Sequence, residues 1–326
     1  MIQASRPPIV PADAAGIARA AALLREGGLV AVPTETVYGL AARADRDESV
    51  AAIYRAKGRP SFNPLIVHVA DVAAARDLAE FDARAELLAA TFWPGPLTLV
   101  LPLRADAGVA AAVTAGLETV ALRCPAHPAM RALLMATGLP LAAPSANRSG
   151  AVSPTTAGHV AASLGSRVDL VLDGGPCAAG LESTIVALRA GGAWQVLRPG
   201  PITAAQIADV MGCEADAVTS PAIEAPGQLA SHYAPGKPVR LNAGTAEADE
   251  YHIGFGSIAG DLSLSPKGDL ADAAARLYAA LHEAAASPQA RIAVAPIPEE
   301  GAGIAINDRL RRAAAGESPD STYPTP

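Results

Sequence analysis

The sequence is poor in cysteine, aromatic rings and charge, and it has no long apolar run. Its 326 residues hold three cysteines, Cys124, Cys177 and Cys213. They are widely separated and form no Cys-x-x-Cys. An odd, sparse set of this kind builds neither a disulfide framework nor a paired metal site. A reducing compartment follows, and we expect a cytoplasmic protein. Aromatic residues make up only 4%, so the cores must be built from Ala, Val and Leu. The most apolar stretch, FWPGPLTLVLPL at 92–103, is too short to cross a bilayer and carries three prolines. The start, MIQASRPPIVP, lacks the apolar centre of a signal sequence, and no membrane association is expected.

Several catalytic signatures are missing as well. There is no GxxxxGK[ST], no HExxH and no GxSxG, which sets aside P-loop, zincin and nucleophile-elbow chemistry. GFGSIA at 254–259 formally fits GxGxxA, but DLSLSP follows it instead of a helix, so it reads as a plain strand.

What is present points to a soluble two-domain α/β protein. Hydrophobic residues reach 51% against 17% charged, far from the composition of a disordered chain. The 29 glycines and 28 prolines have no period and indicate many loops. One core stops growing near roughly 250–300 residues, so a second, smaller domain is expected. The net charge of −7 argues against a surface that clings to nucleic acid as a whole. That charge is uneven: residues 1–205 hold 17 Lys and Arg against 16 Asp and Glu, and residues 206–326 hold 8 against 16.

Strand-type runs lie at 28–33, 65–69, 97–101, 119–123, 139–144, 169–173, 183–188 and 194–199. Helical spacing occupies 13–26, 47–57, 127–137, 155–164 and 203–211. The strands between 169 and 199 follow one another closely, so part of the sheet should be antiparallel. Residues 212–237 lose all periodicity and read as a linker. Beyond it, strands at 239–243, 251–256 and 291–296 and helices at 269–286 and 304–314 form a smaller α/β unit. The last helix ends in Arg309, Arg311 and Arg312, suited to its negative pole. The expected division is 1–205 for the first domain, 206–237 for the linker, 238–315 for the second domain and 316–326 for a disordered tail.

Six places can carry chemistry, most with a plainer alternative. KGRPSFNP at 57–64 sets Lys57 and Arg59 around Gly58, a point charge and a planar fork suited to phosphate; a lysine before a glycine is also an ordinary helix end. PSANRSG at 144–150 puts Ser145 and Asn147 past a strand end, where ligands of open α/β sheets gather, or makes a polar turn. PTETVYG at 33–39 offers the hydroxyls of Thr34 and Thr36, or a turn opened by proline. His68, within LIVHV, reads alone as a satisfied core residue, and Arg123 closes a strand where it can grip a carboxylate. DGGPCAAGLEST at 173–184 leads into Ser183. It is either an anion-binding glycine loop or a flexible hairpin connection.

Taken in order, PTETVYGL, KGRP-x-x-NPL-x-x-H, FWPGPLTLVL, ALRCP, PSANRSG, LESTIV and VLRPG resemble the YrdC/Sua5 family over roughly residues 10–315. HYAP at 232–235 and the extra C-terminal unit resemble its longer, Sua5-type members. The resemblance implies a twisted mixed parallel and antiparallel sheet with a concave, basic face, followed by a small Rossmann-like α/β domain. It implies a nucleotidyltransferase that makes L-threonylcarbamoyladenylate from ATP, L-threonine and bicarbonate and releases pyrophosphate. The product would feed the transferase machinery that modifies position 37 of tRNA. It also implies site roles. Lys57, Arg59, Ser145 and Asn147 would act at the phosphates, with Asn63, Thr119, Arg198 and Tyr233 on the nucleotide side. Thr34 or Thr36, His68, Arg123 and Ser183 would lie near the amino acid, with Arg123 as carboxylate partner. Mg2+ is expected to arrive with ATP, with Ser145 and Asn147 holding phosphate or the Mg2+ shell. The linker would close over the cavity and bring Tyr233 to the nucleotide. One departure stands out: the family's PGM before HYAP is Pro226-Gly227-Gln228 here, and a polar Gln should fit an apolar lid pocket less well. The competing reading is an RNA-binding, translation-associated protein using the same face, against which the net charge and the lack of aromatic-interleaved basic stretches speak. A carbamoyl-transfer module like that of hydrogenase maturation proteins lacks its acylphosphatase and zinc-finger-like segments here.

Overall fold

A computed structural model describes residues 6–218, 224–228 and 232–315. The chain divides into two compact units, one of residues 1–148 and 154–228, the other of 149–153 and 229–326. The division falls at Gln228, inside the expected linker, because residues 224–228 pack on the first unit. Residues 219–223, 229–231 and the tail 316–326 lie outside the described residues.

The first unit carries ten strands: β1 (Ile9–Pro11), β2 (Val30–Pro33), β3 (Tyr38–Arg43), β4 (Ile66–His68), β5 (Leu97–Pro102), β6 (Thr119–Arg123), β7 (Leu141–Ala142), β8 (Leu170–Asp173), β9 (Thr184–Leu188) and β10 (Trp194–Arg198). Its helices are α1 (Ala14–Arg25), α2 (Asp47–Lys57), α3 (Val72–Arg76), α4 (Ala83–Phe92), α5 (Ala111–Thr114), α6 (Pro128–Thr137), α7 (Ala157–Leu164) and α8 (Ala204–Met211). The strands form one sheet in the order β1-β8-β2-β3-β7-β4-β6-β5-β9-β10. Parallel pairs such as β4 with β6 alternate with antiparallel ones such as β5 with β6, so the expected mixed sheet is present. The antiparallel part expected between 169 and 199 is the pair of β9 and β10. β8 instead lies parallel between β1 and β2. The glycine-rich segment 174–183 is therefore no hairpin turn; it carries the chain from one half of the sheet to the other.

Period-two alternation sorts the side chains between the two faces. Ala31, Leu40, Val67, Leu99, Leu122 and Val186 join one core with α2, α4 and α7. Val30, Val32, Ala41, Leu170 and Leu172 join another with α1 and α6. A third cluster differs. Ile66, Val100, Ala121, Ile185, Ala187 and Leu197 come from strands, and its remaining member is Ala225, from the linker segment. No helical residue contributes. By the same alternation His68 shares this face with Ile66, Thr119 and Arg123 with Ala121, Thr98 with Val100, and Ser183 with Ile185. Four of the polar candidates, His68, Thr119, Arg123 and Ser183, thus share the face of this helix-free cluster.

The second unit holds β11 (Val239–Arg240), β12 (Glu250–Gly254), β13 (Leu262–Ser263) and β14 (Arg291–Val294), with α9 (Leu270–Ala286) and α10 (Ala302–Ala314). All three strand pairings are parallel, in the order β11-β14-β12-β13. α9 begins at an Asp269 cap and buries Ala273, Leu277, Tyr278, Leu281 and Ala284. Arg309 is not a solvated pole charge. It is fully buried with its guanidinium carbon 5.3 Å from the Tyr233 ring centre. No helix of the described residues is long and apolar enough to cross a membrane.

Candidate active site

The site is assembled from three polar groups. The first joins KGRP to PSAN. α2 has Asp47 and Glu48 in its first turn and Arg55 and Lys57 in its last, as the helix dipole favours. Gly58 stops it in the left-handed region at φ 61°, where a side chain would be strained. The helix-end reading of Lys57 holds, and the same helix end delivers its side chain inward. Its side chain is buried, and Nζ donates to the backbone carbonyls of Ser145 and Asn147, the latter at 2.6 Å. In its protonated form the amine has three donors, so one is then left for a ligand. Burial, and then the neighbouring Arg59 charge, push its pKa well below the ordinary lysine value, opposed by Glu182. The SxN loop is held in turn by β3: Ser145 bridges Gly39, and Ala146 N donates to Tyr38 O at 2.8 Å. Arg59 donates to the carbonyls of Asn63 and Pro64. Asn63 is buried, and its Oδ1 has no hydrogen-bond partner among the described residues. In the β4–β6 register Ile66 faces Ala121, which sets Thr119, at the entrance of β6, alongside Pro64.

The second group is a hydroxyl and ion-pair chain. Thr34 Oγ1 donates to Val37 O at 2.7 Å and lies 2.8 Å from Thr36 Oγ1. Its proton being used, Thr36 is the donor between them. Thr36 Oγ1 in turn accepts from Arg123 Nη1 at 2.9 Å. Arg123 also donates to Gly95 O and to Glu35 Oε1, the latter at 2.5 Å. Arg123 is thus already paired with an internal carboxylate. This alters its assigned role: what it holds in this structure is Glu35 and Thr36. Glu35 escaped the sequence reading, although it stands between the two singled-out threonines. Its other oxygen accepts from Ala126 N at 3.1 Å. Burial pushes its pKa up, but the charge and hydrogen bond of Arg123 with the backbone donors outweigh this, and it lies below the usual value. His68 faces Arg123 across the strands. Burial, then the Arg123 charge, lower its pKa to about 3, so the ring is neutral. Its Nδ1 is buried without a hydrogen-bond partner among the described residues.

The third group surrounds Ser183, whose Oγ lies 2.7 Å from Thr98 Oγ1. Arg198 donates to Ser183 O from both Nε and Nη2, at 3.1 and 3.0 Å, and to Ser183 Oγ at 3.2 Å. A register shift in β10 between Val196 and Arg198 re-aims this arginine. The following RPG passes so close that a Cβ on Gly200 would sit 2.4 Å from Thr184 N. The crossing segment 174–183 ties the groups together: Ala179 N donates to Glu35 O at 2.7 Å, Gly175 O accepts from the Tyr38 hydroxyl at 2.8 Å, and Glu182 acts on Lys57.

Tyr233 belongs to the second unit. It is enclosed there, its ring stacked on Tyr278 at 5.5 Å between centroids and edge-on to His232 at 4.0 Å. Among the described residues no three His, Cys, Asp or Glu side chains group as a metal site would. Where Lys57 meets Ser145 and Asn147, the Ser145 hydroxyl and the Asn147 amide are neutral oxygens of the kind that suits a hard cation such as Mg2+.

Residues 22–200 match the Sua5/YciO/YrdC family, described as "Telomere recombination", and residues 202–315 match the "Threonylcarbamoyl-AMP synthase, C-terminal domain". The threonylcarbamoyl-AMP synthase of Bacillus subtilis is 44% identical, over 92% of this chain and 93% of that protein. The enzyme of the same name from Pyrococcus abyssi is 39% identical, over 90% and 93%. A crystal structure of P. abyssi Sua5 complexed with L-threonine superposes with a TM-score of 0.84 at 36% identity, covering 95% of this chain and 97% of that one. The chain therefore belongs to the Sua5/YciO/YrdC family, as one of its long members with the C-terminal domain of the threonylcarbamoyl-AMP synthases.

Proposed function

We propose that this enzyme synthesises L-threonylcarbamoyladenylate from ATP, L-threonine and bicarbonate, with release of pyrophosphate, and that the product serves N6-threonylcarbamoyladenosine formation at position 37 of tRNA. The observation that carries the reading is the convergence of Lys57, Ser145 and Asn147 at one point, beside a separate chain of Thr34, Thr36, Glu35 and Arg123. One group suits polyphosphate and the other a small zwitterion. L-threonine is bound in the structure of the P. abyssi relative, which supports the second assignment.

The chemistry asks little of the protein beyond placement. The threonine amine adds to CO2 with loss of a proton, or to bicarbonate with loss of water, and gives a carbamate. A carbamate oxygen then attacks the α-phosphorus, the bond to the bridging oxygen breaks, and pyrophosphate leaves with that electron pair. No covalent enzyme intermediate is required. Two anions must be held against each other while charge shifts to the leaving group. Lys57, with its one remaining donor, and Arg59 bind phosphate oxygens. The phosphate charge draws a proton onto the buried Lys57 amine. Ser145 and Asn147 supply oxygen contacts to the Mg2+ shell, whose ion, when bound, neutralises triphosphate charge. Asn63, Thr119 and Arg198 line the nucleotide side. Thr36, His68 and Ser183 contact threonine, and neutral His68 accepts a hydrogen bond there without adding charge. Arg123 acts through Thr36 and its remaining N–H groups.

Incubation with ATP, Mg2+, threonine and bicarbonate, followed by mass spectrometry of the nucleotides, tests the reading. Threonylcarbamoyl-AMP is the expected product. A product lacking the threonyl group, or none at all, rejects it.

A further inference from the structure

Residues 224–228, EAPGQ, form a small closed structure of their own. The Gln228 side-chain oxygen accepts from Glu224 N at 2.8 Å and Ala225 N at 2.9 Å. Gln228 is thus not a poor substitute for an apolar anchor. Its amide closes the turn, and Ala225, fully buried, supplies the apolar contact with Ile185, Ala187 and Leu197. Glu224 makes a bidentate pair with Arg189 at 2.7 and 2.9 Å, both side chains being mostly buried. Arg189 is itself steadied by Gln195 Oε1 at 2.9 Å. The turn presents the Pro226 carbonyl to Arg198 Nη1 at 3.3 Å. The same guanidinium grips Ser183 with its other nitrogens.

We propose that this turn is a clasp that fixes Arg198 against Ser183, with Gln228, Glu224 and Arg189 as positioning residues for the nucleotide-side arginine. The assignment of Arg198 to the nucleotide rests on the function proposed above; the clasp itself rests on the bonds just described. A flexible arginine has many rotamers to lose when a ligand arrives. Held from both sides it is preorganised, and the benefit appears in substrate affinity. None of the three is among the residues assigned to substrate above.

Amide exchange of residues 224 and 225 and of the Arg198 side-chain Nε–H, together with steady-state kinetics, tests the clasp. In Gln228→Met both backbone amides and the Arg198 Nε–H should exchange faster. KM for ATP should rise while kcat holds. Arg189→Ala and Glu224→Gln should each raise KM roughly two- to fivefold, the range for a partly exposed ion pair. The exchanged pair Arg189→Glu with Glu224→Arg should recover most of the loss. Unchanged exchange in Gln228→Met overturns the clasp. So does a parallel fall of kcat and stability without recovery in the exchanged pair, since that is what a merely structural contact gives. If the unaltered protein makes no threonylcarbamoyl-AMP, the proposed function fails, and the exchange data still decide whether the clasp holds Arg198.

Discussion

Lys57 Nζ donates to the backbone carbonyl of Asn147 at 2.6 Å across 90 positions of sequence. The bond joins a helix end to a strand-end loop, and a proton taken up by the amine would add a third N–H beyond the two already used. In Lys57→Met, two buried carbonyls lose their donor, at a cost of about 1–3 kcal/mol each when nothing replaces it. Threonylcarbamoyl-AMP formation should vanish while a cooperative unfolding transition remains, lowered in temperature. Calorimetry and a product assay on the same sample check this.

The depressed pKa of Lys57 also predicts proton linkage. Between that lowered value and the ordinary lysine value the free side chain is neutral, and bound triphosphate draws a proton onto it. ATP binding in this window should take up a proton and weaken as pH rises. Isothermal titration in buffers of different ionisation enthalpy measures the uptake, which Lys57→Met should abolish.

The pair of Glu35 and Arg123 should be costly to break from one side. Their side chains are 15% and 4% exposed, and removing one partner of such a pair costs about 3–5 kcal/mol. Glu35→Gln keeps the shape but leaves Arg123 uncompensated. Its urea midpoint should fall, and KM for threonine should rise because Thr36 loses its fixed donor. A variant as stable as the parent would show that the pair does not hold this corner.

His68 sets a sign for acid stability. Its folded pKa of about 3 lies below the ordinary 6.5, so the unfolded chain binds the proton more readily. The neutral ring's contribution is complete above about pH 6.5 and is lost as pH falls toward 3, at ~1.4 kcal/mol per pH unit. His68→Asn should flatten the stability profile between pH 6 and about 4 by one proton's worth, which denaturant titrations at several pH values read directly.

Gly200→Ala should displace the Ser183 group. The added carbon would meet Thr184 N at 2.4 Å and Glu182 O at 2.7 Å, both backbone atoms that cannot swing aside. Overpacking of this kind costs about 1–3 kcal/mol. KM should rise with the loss of stability, and Gly200→Ser should be no better.

Much of this was legible in the sequence because the strands are short apolar runs ending at unusual polar motifs. β5 and β6 begin where the periodicity places them, and α2 matches its expected bounds at Asp47 and Lys57. β3 was hidden because YGLAAR follows PTETV without a break in composition, and its partner β7 is only two residues long. α4 was missed because its apolar residues run directly into FWPGPLTLVL. The long reach from β8 to β9 had no local signal: adjacency in sequence suggests a hairpin, and only the parallel seat of β8 between β1 and β2 forbids it. Ion pairs were the least visible. Arg123 and Glu35 are 88 positions apart, and nothing in either motif marks the carboxylate as the partner of the guanidinium. Gln228 looked like a defect because the sequence showed the lost methionine and not the two amides it accepts from.

The most direct test of the account is pyrophosphate release at fixed ATP, Mg2+ and bicarbonate as threonine is raised from zero. The account predicts negligible release without threonine, a saturable rise with it, and no rise in Lys57→Met. Release that is the same with and without threonine would contradict it.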